Sequence, residues 1–218
     1  LQKILHATPW PFMVIAVTWL AWRLGGIGLA ALCGTAVLYM ALSGYWLKSM
    51  NTLSMVGVAV PLALGVGFGL GVLGAKSKRA NSVIQPTLDL MQTIPTFAYL
   101  APLVVLFGFG PVPGVLASII YAAPPMTRNV LLGLKSVPQE LGEVSSMSGT
   151  TPWQRFCYIE LPCAKQQILV GINQMVLASL SMVIIAAVIG GFDDIGREVL
   201  VATNKGSARF GQALAAGI

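Results

Sequence analysis

Few residues in this 218-residue chain have the types and spacing that chemistry needs. His6 is the single histidine, so no His-based metal cluster can form. Cys33, Cys157 and Cys163 are an odd, scattered set without a CxxC pair, which argues against a disulfide framework; Cys157 and Cys163 read as reduced thiols. Asp193 and Asp194 are adjacent, and neighbouring side chains on a helix or strand do not converge on one point. There is no HExxH and no GxxxxGK[ST], so neither a metalloprotease helix nor a phosphate-cradling loop is present. The informative polar and aromatic residues concentrate instead between Pro138 and Pro162, where Glu143, Gly149, Thr151, Trp153, Phe156, Tyr158 and Leu161 fall. Thr151 before Pro152 reads as a helix N-cap with proline at the first helical position. A helix from 152 places Trp153, Phe156 and Cys157 on one face. Such a face needs a cover, which is either the chain's own membrane domain or a soluble partner. These residues can dock; they are not a catalytic set, and the chain does not read as an enzyme.

The elements that hold this segment are set by composition. Hydrophobic residues make up 56% of the chain and charged residues 9%, against about 25% charged in a soluble domain. Mean hydropathy is +0.80. A soluble globular enzyme and a disordered chain are both excluded. The net charge of +6 reflects basic residues flanking membrane segments rather than nucleic-acid binding. Charge-free gaps of 19, 24, 27, 38 and 27 residues follow Lys3, Arg23, Lys48, Asp89 and Lys165, and a membrane helix needs about 20 apolar residues. The longest gap is broken by Phe109-Gly110-Pro111-Val112-Pro113-Gly114, a turn signal. The expectation is an all-α integral membrane protein, a polytopic helical bundle of about six spans, near 9–23, 26–47, 52–75, 91–108, 114–131 and 166–191. The tail 210–218 reads as the start of a further span.

Orientation follows from Lys76-Ser77-Lys78-Arg79, the densest basic cluster, which the positive-inside rule puts in the cytoplasm. The segment 132–165 is then cytoplasmic, Arg23 is cytoplasmic, and 193–209 faces outward. On this arrangement no formal charge lies in the middle of a span, which argues against an ion-coupled carrier built on intramembrane carboxylates. Gly65/Gly69 and Gly67/Gly71 are GxxxG pairs suited to internal packing or to a subunit interface. Pro61, Pro102 and Pro124-Pro125 lie inside expected spans as tolerated kinks or as hinges of a gate.

The segment around Glu143 resembles the signature of permease subunits of binding-protein-dependent ABC importers: a Glu, a Gly six residues on, and a closing Leu-Pro. The matching positions are Glu143, Gly149, Leu161 and Pro162, with Val144 in place of a usual small residue. Asp89-Leu90-Met91-Gln92-Thr93-Ile94-Pro95-Thr96-Phe97-Ala98-Tyr99-Leu100, Leu106-Phe107-Gly108-Phe109-Gly110, Ala122-Ala123-Pro124-Pro125 and Leu180-Ser181-Met182-Val183-Ile184-Ile185-Ala186 are similar to the glycine betaine/proline/choline branch. Together they cover about 50–200; 192–194 diverges from the branch.

The resemblance implies N-terminal membrane helices over 1–50 and a permease core over 51–218. It implies a cytoplasmic coupling helix, with Glu143, Gly149, Trp153, Leu161 and Pro162 as the loop that engages an ATPase subunit. Two ATPase copies carrying ATP and Mg would drive two permease chains, expected as a homodimer. An extracytoplasmic binding protein would deliver a quaternary amine in the bacterial inner membrane. The chain itself would hold no cofactor. Phe97, Tyr99 and Phe107 are candidate pathway residues because aromatic faces attract such cations. A secondary transporter and a membrane anchor without a pathway are the rival readings.

Overall fold

The structure, a computed structural model, describes residues 2–190 and 192–204. The expected start of a span at 210–218, and the 205–209 part of the outward segment, lie outside the described residues. Regular structure among the described residues is helical: α1 (Gln2–Ala7), α2 (Trp10–Leu42), α3 (Trp46–Lys76), α4 (Lys78–Thr93), α5 (Thr96–Phe107), α6 (Pro111–Lys135), α7 (Gln139–Met147), α8 (Pro152–Arg155), α9 (Leu161–Gly190) and α10 (Ile195–Asn204). A π-turn, Phe156–Glu160, joins α8 to α9. Proline sets many of the starts. Pro9, Pro95 and Pro138 are the N-cap residues of α2, α5 and α7, while Pro111 and Pro152 open α6 and α8. A fixed φ and a missing N–H cost nothing there.

Among the described residues, four helical runs are long and apolar enough to cross a membrane: Trp10–Leu42, Trp46–Lys76, Pro111–Lys135 and Pro152–Gly190. The pair α4 and α5, bent by 93°, makes a fifth if counted as one broken span. The six expected spans therefore do not map one to one. Those at 9–23 and 26–47 share α2, which is interrupted at Gly26 (φ +77°, ψ −169°). A Cβ built on Gly34 would sit 2.7 Å from the Thr18 hydroxyl oxygen. Sixteen residues of straight helix would separate them by about 24 Å. The chain thus folds back at Gly26 into two antiparallel arms.

The expected span at 91–108 is also corrected. α5 has 12 residues, and the helix before it ends at Ile94, which Pro95 drives out of the α region (ψ 129°). α6 runs on to Lys135, past the expected end at 131. Arg128 therefore lies inside a helix of membrane length, seven residues before its end rather than at its middle.

The chain divides into two compact units. The first holds the described residues of Leu1–Gly57, Phe109–Pro111 and Val183–Ile218. In it, Lys48 forms an ion pair with Glu198, and the Asn51 amide donates to the Asp193 carbonyl at 2.7 Å. Asp194 is fully buried and caps α10, accepting the Arg197 N–H at 3.1 Å and the Thr52 hydroxyl at 3.4 Å. Gly196 lets α10 lie against the Ile184 carbonyl, 2.6 Å from where a Cβ would be.

The second unit holds Val58–Gly108 and Val112–Met182. Its core joins Ala63, Ala122, Met126, Val130 and Met175, flanked by Leu64, Phe68 and Ile172. Gly67 and Gly71 admit Met126 and Val130 at would-be Cβ distances of 2.7 and 2.6 Å, whereas Gly65 and Gly69 face open space. One GxxxG pair is thus internal packing and the other points away from it. Asn129 ties α6 to α9. Its amide N–H groups donate to Gln174 at 2.9 Å and to the Pro125 carbonyl at 2.7 Å, and its carbonyl accepts from Gln167 at 2.7 Å. Every hydrogen-bonding group of that buried amide except one lone pair is used, as a dry membrane interior demands.

Candidate functional site

The segment read as a cytoplasmic loop, 132–165, is a helix–turn–helix. α7 ends in a Schellman turn: the Gly149 N–H donates to the Ser146 carbonyl at 3.1 Å and the Thr150 N–H to the Ser145 carbonyl at 3.2 Å. Gly149 has φ +70°. That left-handed geometry is required of the residue just past such a helix end, and it favours glycine. α8 then starts on a full capping box, with the Gln154 N–H donating to the Thr151 hydroxyl at 3.3 Å and the Thr151 N–H to the Gln154 side-chain carbonyl at 2.9 Å. Both helix ends at the turn therefore have their orphan backbone groups satisfied locally.

The helix from 152 is present, and Trp153 and Phe156 meet on it, but the two are not equally exposed. Phe156 is buried, with the Lys76 ammonium 4.3 Å from its ring centroid. Trp153 is 71% exposed and its ring, tilted by 35°, meets Phe156 at 5.9 Å between centroids. Cys157 is half-buried. The barest apolar residues of the turn are Val144, Met147, Trp153 and Tyr158, with Leu141 less exposed. Glu143 is exposed beside them.

Leu161 and Pro162 do not end a loop. They form the first turn of α9, and the π-turn before them makes Pro152–Gly190 one continuous helical run. The Leu161 N–H reaches back five residues to the Phe156 carbonyl. That longer register suits a helix about to meet a proline, which has no N–H to give to the residue four before it. Three residues missed by motif reading fix this turn. Gly142 lies flat under the Arg155 guanidinium, which a Cβ would meet at 2.5 Å. Arg155 pairs with Glu160 at 2.9 Å. Arg155 and Glu160, with Ala75, Lys76, Leu134 and Pro152, line an open cavity of about 470 Å³. The signal for Gly142 was only its place one residue before Glu143.

Of the aromatic pathway candidates, Phe97 and Phe107 are exposed on α5. Tyr99 is half-buried, donates to the Met91 carbonyl, and faces Tyr121 with 6.2 Å between ring centroids. The structure does not bring Phe97 and Phe107 into that cluster. Among the described residues, no three His, Cys, Asp or Glu side chains come together to hold a metal ion.

Residues 67–218 match the family model described as "Binding-protein-dependent transport system inner membrane component". The chain belongs to this family. It is 39% identical over 201 residues to the glycine betaine/proline betaine transport system permease protein ProW of Escherichia coli (strain K12), covering 91% of this chain and 56% of that protein. It is 39% identical over 205 residues to the glycine betaine/carnitine transport permease protein GbuB of Listeria monocytogenes, covering 92% and 72%. It is 38% identical over 214 residues to the trimethylamine N-oxide transport system permease protein TmoV of Pelagibacter ubique, covering 98% and 29%. The chain thus spans about a third to a little over half of TmoV and ProW. The family is one of inner membrane components of binding-protein-dependent transport systems, and the relatives named above are permease proteins of glycine betaine, carnitine and trimethylamine N-oxide systems.

Two solved structures share its fold. The MetNI methionine ABC transporter matches with a TM-score of 0.64 at 19% identity, over 75% of this chain and 82% of that one. An amino acid ABC transporter with histidines matches at 0.65 and 19%, over 84% and 87%. The permease has the all-helical fold of ABC importer membrane subunits.

Proposed function

We propose that this permease forms the translocation pathway of an ATP-driven importer for a small quaternary-amine or zwitterionic osmolyte, and that the α7–α8 turn is its coupling element. One observation carries this. Val144, Met147, Trp153 and Tyr158 stand bare on a turn whose backbone is fully capped and clamped. A rigid apolar knob is built to seat in another protein, and hot spots favour buried aromatics of this kind. Glu143 is the polar contact beside it, and Gly149, Leu161 and Pro162 set the geometry. The partner is an ATPase subunit in two copies, which supplies the ATP and Mg that this chain has no motif to hold. A second copy of the chain completes the pathway, and an extracytoplasmic binding protein delivers substrate. The relatives' names supply the substrate class; Tyr99, with Phe97 and Phe107, offers aromatic surface to such a cation.

In this reading the chain crosses the bilayer six times, with the two arms of α2 as separate crossings and α4–α5 as one. The N-terminal membrane helices then take 1–50 and the permease core 51–218. The tip at Gly26 and the α7–α8 turn face the cytoplasm, while the described part of 193–209 faces outward.

Purification of the intact complex from its own membrane, followed by an ATPase assay, tests the reading. An ATPase should copurify with the wild type. Glu143→Ala or Gly149→Trp should release it or sever its hydrolysis from uptake. A chain that purifies without any ATP-hydrolysing partner and still mediates uptake would be a secondary transporter.

A further inference from the structure

Arg128 and Asp89 form an ion pair, with Arg128 Nη2 donating to Asp89 Oδ1 at 2.5 Å. Arg128 lies in α6 seven residues before Lys135, about 10 Å along the axis from that end. A charge inside a membrane helix costs about 2.5–3.5 kcal/mol near its centre, and such groups face a bundle interior or water. This pair does not face the interior of its own unit. The two side chains remain 42% and 64% exposed. The rest of that stretch of α6 is buried: Ala122, Ala123, Pro124, Met126, Thr127, Asn129, Val130, Leu131 and Gly133. What remains open is one stripe at helical spacing, Tyr121, Pro125, Arg128 and Leu132. An ion pair on that stripe is not a lipid-facing design, which leaves water or another protein chain as its neighbour.

We propose that the Asp89–Arg128 pair lines the aqueous pathway and opens to hold a zwitterionic osmolyte, Arg128 taking its carboxylate and Asp89 its quaternary ammonium. This rests on the importer reading above and names the residues that would meet its substrate. The exchange is balanced in charge. One ion pair opens, two form, and the site stays neutral throughout. Opening is cheap, because a pair this exposed contributes about 0–1 kcal/mol. A guanidinium presents a planar fork that matches a carboxylate. Arg128 Nε is buried and has no hydrogen-bond partner in the present arrangement, so the guanidinium must turn outward to bring this unused donor to a ligand. Two turns away on the same stripe lies Tyr121, and with Tyr99 of α5, 6.2 Å away between ring centroids, it presents aromatic surface that attracts a quaternary ammonium.

The test uses the full complex with its ATPase and binding protein in liposomes, and two probes. Glycine betaine carries both charges; choline carries the same cation without a carboxylate. Arg128→Gln should lower the glycine betaine to choline uptake ratio at least tenfold. Asp89→Asn should depress both. The exchanged double variant Asp89→Arg/Arg128→Asp should not recover uptake. An equal loss of both probes in Arg128→Gln, or recovery in the exchanged variant, would make the pair a structural brace and overturn the proposal. A second measurement does not depend on uptake. Leu132→Cys, in a chain with Cys33, Cys157 and Cys163 changed to Ser, is treated with a membrane-impermeant trimethylammonium thiosulfonate. It should react, and more slowly with glycine betaine present. No reaction would place the stripe in lipid or protein and overturn the proposal even where the charge variants fail to assemble. Reaction in a wild-type-like complex that moves neither probe would fault the osmolyte reading and, with it, the zwitterion role.

Discussion

At the scale of single residues, two positions separate backbone need from side-chain chemistry. Gly149 is held at φ +70° by the Schellman turn. Gly149→Ala keeps the turn's size but strains it, at about 1–2 kcal/mol. The expected result is a lower melting temperature in detergent and faster proteolysis between α7 and α8, while Ser148→Ala changes little. Asp194 shows the opposite case, a side chain whose charge is the issue. Burial pushes its carboxyl from 3.8 to about 6, against the Arg197 and Gly196 N–H groups and the Thr52 hydroxyl, with Asp193 adding to the rise. The folded chain therefore keeps a proton that the unfolded chain has lost between those values. Its contribution to stability is complete below the unfolded value and is lost as pH rises through about 6. Asp194→Asn retains an acceptor for the Arg197 N–H and removes the titration. Melting temperatures across that window should fall with pH in the wild type and stay flatter in the variant. A variant curve parallel to the wild type would assign the pH dependence to another group.

At the scale of elements, glycines at equal spacing have unequal duties. Gly71 receives Val130, with would-be Cβ contacts of 2.6 Å and 2.7 Å to its side chain and 2.9 Å to the Thr127 carbonyl. Gly69, two residues away, meets nothing within 4 Å. Gly71→Ala should destabilise the unit by about 1–3 kcal/mol through overpacking. Gly69→Ala should be neutral or stabilising by up to about 1 kcal/mol, since alanine is the better helix former. Thermal unfolding of the two purified variants decides between them. The sequence could not distinguish the pairs, because GxxxG specifies a smooth stripe without naming what lies against it. It did show where helices begin: Thr151-Pro152 and the Gly-Pro run at 109–114 mark real boundaries because their chemistry is local. It missed the break at Ile94–Pro95, where an apolar run continues across a bend that only backbone geometry reveals. Arg128 falls near the end of the expected 114–131 span, and its pairing with Asp89, 39 residues away on another helix, is not legible from charge spacing.

At the scale of the whole molecule, membership of the transporter family was legible because its evidence is distributed over the chain, from the Glu143–Pro162 signature to the segments near 89–100 and 180–186. The face carrying the Asp89–Arg128 pair was not legible, because exposure on a helix depends on which neighbours cover its other sides. One further feature acts at this scale. The first arm of α2, from Trp10 to Gly25, has 16 residues, a reach of about 24 Å. A bilayer core is about 30 Å thick. Trp10 sits at one end of the arm, and Trp19 and Trp22 near the fold at Gly26, where interfacial aromatics belong. In the proposed six-crossing arrangement both arms, largely bare within this chain, would leave surrounding lipid to make up the shortfall by thinning, at a fraction of a kcal/mol per Å. The hairpin would then gauge membrane thickness. Reconstituted in lipids of increasing acyl length, the permease should lose thermal stability steadily, and a hairpin lengthened by one turn in each arm should shift its optimum toward the thicker bilayer.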